Sequence, residues 1–130
     1  MTNRLRTPQA LCRFGLATCD ITPPRDIYHH MWGAATHDQA EGIHRPLSAS
    51  AFVWQPYTEN THERRVFVAL DHCVLMPPEM TSLIQRVNND HALTKDSLRV
   101  NFSHTHAAGL LDPDFRDRPG GAAIPPYLDQ

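Results

Sequence analysis

No stretch of this chain approaches the roughly 20 consecutive apolar residues that a membrane-spanning helix needs, and the opening run MTNRLRTPQALCR lacks the apolar middle of a secretory signal. A transmembrane segment is therefore excluded, and a cytoplasmic location is the expectation. Cysteine is scarce and odd in number. Cys12, Cys19 and Cys73 form no CxxC pair, so reduced thiols are expected, each as a small buried apolar residue, rather than a disulfide frame. The charge is nearly balanced, at −2 over 130 residues, and aromatic residues make up only 8%. With no basic stripe and no run of like charge, the sequence offers nucleic acid no electrostatic footprint. Glycine is also sparse, with 6 residues against 11 prolines, which predicts turns set by fixed φ rather than by free backbone.

What is present is enough for one α/β unit. Residues 1–10 are polar and read as a disordered N-terminus, leaving 11–130 as the folded part. A first strand is expected from Leu11 to Ile21, stopped by Thr22-Pro23-Pro24, because proline cannot donate to a sheet ladder. Arg25 to Gly42 has neither helical nor strand period and reads as a long loop rich in histidine. Leu47 to Gln55 is the second strand candidate, followed by a polar turn over Thr58 to Arg65. Val66 to Asp71 is continuously apolar up to its last residue, the pattern of a strand covered on both faces in a parallel sheet. Pro77-Pro78 then opens a helix at about 79–89, with Met80, Leu83, Ile84 and Val87 on one face, expected to pack on the sheet. Leu98 to Ser103 alternates and forms the next strand. The expected class is thus α/β, a mixed sheet containing a parallel β-α-β unit with strands at about 66–71 and 98–103.

That unit concentrates the chemistry. In open α/β sheets, ligands gather beyond the carboxyl ends of the strands. Asp71 ends one strand of the pair, and His104-Thr105-His106 follows the other. If the backbone stays extended, His104 and His106 share a side, with Cα atoms roughly 6 to 7 Å apart, close enough to converge on one ion. Imidazole and carboxylate are donors that suit zinc, and a carboxylate that orients a metal-bound histidine is a recurring device, the role open to Asp71. Asp71 reads equally well as a cap on the loop entering the helix. His72 reads as a ligand or an exposed loop residue, and His62 and His91 as residues of polar turns.

Four ordered blocks carry a resemblance: FGLATCDITPP at 14–24, GIHRPLSASAFVW at 42–54, RRVFVALD at 64–71 and RVNFSHTHAAG at 99–109. Together they resemble the N-terminal part of the catalytic domain of the neutral/alkaline, non-lysosomal ceramidase family. The resemblance implies a zinc-dependent amidohydrolase that cleaves the amide bond of ceramide or a related N-acyl lipid. It implies His104 as a zinc ligand and His106 as the catalytic histidine beside the substrate, while Asp71 stays a candidate for orienting a ligand on its strand-end position alone. Two departures are visible. The family's Ser-Gly-Pro after HTH is Ala107-Ala108-Gly109 here, and its arginine in the second block is Ser50. Family chains are several times longer and draw further histidine, glutamate and tyrosine ligands from downstream, so this chain is expected to be a truncated, incomplete version of the domain and inactive alone. The competing expectation is a non-catalytic α/β module that acts by binding or by forming a homo-oligomer through an open sheet edge.

Overall fold

The computed structural model describes residues 11–130 apart from 32, 34, 59–62 and 95. The N-terminal end and His62 lie outside the described residues, as does part of the turn expected over Thr58 to Arg65. Four strands form one sheet in the order of the chain: β1 (Cys12–Asp20), β2 (Ser48–Pro56), β3 (Arg65–Leu70) and β4 (Leu98–Phe102). β1 and β2 pair antiparallel, with Phe14 opposite Trp54 and Leu16 opposite Phe52, and β2 and β3 do the same. β3 and β4 run parallel, with Val68 opposite Val100. A helix, α1 (Pro77–Asp90), makes the crossover between them. The α/β class and the parallel unit expected from periodicity are therefore present.

Local chemistry explains the boundaries. Pro77 and Pro78 occupy the first helical turn, where a missing N–H costs nothing, and α1 ends where the His91 N–H returns to the Val87 carbonyl. After Asp20, the Thr22 hydroxyl and N–H both turn back to the Asp20 carboxylate, and the Leu47 N–H donates to that same hydroxyl oxygen. These bonds close the ends of β1 and β2 around the proline turn. β4 stops one residue earlier than expected, but the Ser103 N–H still reaches the Leu70 carbonyl at 2.9 Å and the His104 N–H reaches that of His72 at 3.0 Å.

Two expectations about covering need correction. β3 was expected to be covered on both faces, yet Val66 to Leu70 are only half-buried. All nine residues of β1 are exposed, so the sheet stays open at that edge. Likewise α1 holds no buried residue, and Met80, Leu83, Ile84 and Val87 are half-buried. The physical reason is that the tightest packing lies elsewhere. Ile27, Tyr28, Leu111 and Ile124 form the buried cluster, flanked by Phe115, Tyr127 and Leu128. The C-terminal segment therefore folds over the long loop, using short 3-10 turns at Pro113–Phe115 and Gly121–Ala123 and a final helix, α2 (Ile124–Leu128). Gly120 makes this close approach feasible: its φ is +80°, and a Cβ there would collide with the Asp26 carbonyl oxygen.

Candidate metal centre

The parallel ladder continues past the ends of its two strands, and this builds the site. Because the His104 N–H is held on the His72 carbonyl, residues 72–73 and 104 lie side by side although 31 positions separate Cys73 from His104. His104 departs from the extended backbone that the spacing argument assumed. Its φ is +61°, in the left-handed region that non-glycine residues rarely enter, histidine among the more tolerant of them. Thr105 then caps a single 3-10 turn, His106–Ala108, its hydroxyl accepting from the Ala107 N–H. The two imidazoles still meet, with ring centroids 5.6 Å apart and planes at 54°. Convergence is thus reached through a left-handed turn rather than through strand alternation.

A third donor joins them. Cys73 is 3% exposed, and its Sγ lies 3.7 Å from His104 Nε2 and 3.8 Å from Nδ1. Ligand atoms of Cys73, His104 and His106 all fall within 4.8 Å of one another, with the thiol buried and the two histidines exposed. Thiol and imidazole are the donors that zinc takes in preference to magnesium or calcium, so the residues present fit the metal that the sequence resemblance implies. Reading the sequence missed Cys73. The available signal was its place two residues beyond Asp71, at the end of the strand that pairs with the HTH strand.

Asp71 is engaged differently. Its carboxylate accepts from the Ser48 N–H at 3.0 Å and the Ser48 hydroxyl at 2.8 Å, while its own N–H donates to the Ser48 carbonyl. The hydroxyl and amide of Ser48, aided by the Ser103 hydroxyl, hold the carboxyl below the usual range against the opposing effect of burial. Asp71 thus ties the end of β3 to the start of β2. It also borders a cavity of about 410 Å³ whose lining includes Thr22, His29, His44 and Thr105 but none of Cys73, His104 and His106. Thr105 therefore stands between the cavity and the paired imidazoles.

The remaining histidines sort by environment. His72 is 3% exposed, which corrects the exposed-loop reading, and its Nδ1 has no hydrogen-bond partner among the described residues. Burial pushes its pKa below 6.5, against a smaller opposing contribution from the backbone of Val74. His29 is also held low, by burial first and by neighbouring His37 second. His30 pairs with Asp38 at 2.9 Å, and His91 is exposed at the end of α1. None of these four joins the Cys73, His104 and His106 group.

No protein-family model matches the chain, and no curated protein matches its sequence. Solved structures do match. The crystal structure of neutral ceramidase from Pseudomonas aeruginosa superposes with a TM-score of 0.67 over 94% of this chain, at 18% identity. A ceramidase complexed with C2 gives 0.64 over 92% of it, at 19% identity. The chain spans about a fifth of those proteins, 21% and 20% of their lengths. Its fold is therefore that of part of a neutral ceramidase, a partial α/β domain relative to the whole. No helix among the described residues is long and apolar enough to cross a membrane.

Proposed function

We propose that this chain forms the first part of a zinc-dependent amidohydrolase acting on ceramide or a related N-acyl lipid. In this reading His104 is a metal ligand and His106 serves the reaction beside it. The observation that carries it is the convergence of His104, His106 and Cys73 at the carboxyl ends of two adjacent parallel strands, in a chain with the fold of part of a neutral ceramidase. When bound, zinc would lower the pKa of its water towards neutrality and polarise the amide carbonyl. The chain's own residues do the rest. His106, exposed beside His104, is placed to hand a proton to the leaving amine. Asp71, held ionised by Ser48, ties the end of β3 to the start of β2. The cavity next to Thr105 gives the acyl amide a place to lie.

Metal content after equilibration with zinc tests this directly. The unmodified chain should retain zinc and His104→Ala should not; equal metal in both would sink the assignment. Fatty-acid release from a short-chain ceramide should be slight from the 130 residues alone, and any release should vanish with a chelator. A second reading draws on the exposed β1. As an uncovered edge strand carrying Phe14 and Leu16, it favours a module that associates with a second copy of itself, and light scattering would then report a dimer.

A further inference from the structure

We infer that Cys73 is a thiolate ligand, so that Cys73, His104 and His106 form a three-donor site for a borderline or soft divalent cation within this chain alone. The inference rests on the proposed metal-binding role of His104 and adds sulfur to it. Four observations point the same way. First, the distances fit. Zinc bonds of about 2.3 Å to sulfur and 2.0 Å to nitrogen at a tetrahedral angle place the two donors about 3.5 Å apart. Cys73 Sγ lies 3.7 Å from His104 Nε2, so a shift of a few tenths of an ångström suffices for that pair, and the ligand atoms of all three residues lie within 4.8 Å of one another.

Second, the backbone is shaped for it. His104 holds a φ of +61° while its N–H stays on the His72 carbonyl, which turns the imidazole towards the residue after His72. A left-handed non-glycine residue is strained, and such outliers concentrate at functional sites. Third, burial is graded. The sulfur lies inside and both imidazoles reach solvent, which shields the thiolate. Fourth, the other two cysteines, Cys12 and Cys19, are exposed on β1, so Cys73 is the thiol that the fold has set apart.

Chemically, binding replaces the Cys73 S–H bond with a sulfur–metal bond and releases one proton to solvent. With one ring nitrogen of His106 taken up by the metal, that nitrogen can no longer pass a proton to a leaving amine. The chain by itself would then bind metal well and hydrolyse poorly, until donors from elsewhere take the place of His106.

Cobalt(II) tests this, because sulfur ligation produces a near-ultraviolet charge-transfer band that nitrogen and oxygen ligands lack. In a Cys12→Ser/Cys19→Ser background, Cys73 is the sole thiol. One equivalent of cobalt should bind and show the band. Cys73→Ser should lose the band and weaken cobalt binding by more than the roughly 10- to 100-fold typical of residues behind a ligand. Should that variant not fold, p-mercuribenzoate added to the zinc-loaded double-serine protein should release one zinc per thiol modified. Cobalt bound one to one without the band, or zinc retained after the thiol is blocked, overturns the role of Cys73 and leaves His104 standing. No binding of either metal overturns both.

Discussion

The sheet and the C-terminal wrap divide the work of this molecule unequally. The sheet has the regular hydrogen-bonded ladder, yet all of β1 is exposed, with Leu16 59% and Phe14 56% accessible. The wrap has hardly any regular structure, yet between it and the loop beneath it lie the most deeply buried large side chains, Ile124 at 0% and Ile27 at 1%. Order and burial are therefore separate properties here. The ladder fixes register, and register brings Cys73 and His104 together. The wrap supplies apolar burial, and Gly109 connects the two, since a Cβ at that glycine would meet the Cβ and backbone of His29.

Mutations can break this contrast. Ile124→Ala should cost about 2 to 5 kcal/mol in thermal or denaturant unfolding, whereas Leu16→Ala on the exposed strand should cost less than about 0.5 kcal/mol. Equal losses would show that the sheet carries the core after all. Gly109→Ala should come next, at about 2 to 4 kcal/mol, because it combines a φ of +79° with overpacking against His29. His104→Gly sharpens the comparison in the opposite direction. It should stabilise the metal-free protein by about 1 kcal/mol through relief of the left-handed turn, while removing metal retention as completely as His104→Ala.

The smallest effect should be in acid. Burial and His37 hold His29 below 6.5, with His30 and Asp38 also nearby. Between that depressed value and 6.5 the unfolded chain binds more protons than the folded one. This contribution to stability should therefore be constant above about 6.5 and be lost as pH drops below it, and buried His72, also held low, adds a fall in the same direction. His29→Gln should flatten that fall in a series of melting curves; an unchanged slope would assign it to other groups.

Regular elements were legible because their sequence period matches their geometry. Met80, Leu83, Ile84 and Val87 mark the helix, and the alternation in Leu98 to Phe102 marks β4. His104 and His106 were legible as a pair, though for a reason that proved different, since the turn at His104 rather than strand alternation brings their rings together. Cys73 was not legible. A single cysteine has no spacing partner in the sequence, and it meets His104 because the ladder runs on past the strand ends through the His104 N–H on the His72 carbonyl, which no sequence pattern marks. The core was equally hidden, since Ile27, Leu111 and Ile124 sit in proline-rich segments without period, where nothing local marks a side chain as buried.

The Tyr127 hydroxyl donates to the Ile21 carbonyl at 2.6 Å across 106 residues, and desolvation pushes its pKa up to about 12, so it remains protonated at any physiological pH. During synthesis, the exit of β1 therefore cannot be clasped until Tyr127, more than a hundred residues further on, has left the ribosome. Until then the first hairpin and its long loop wait in the open, exposed to chaperones and proteases alike.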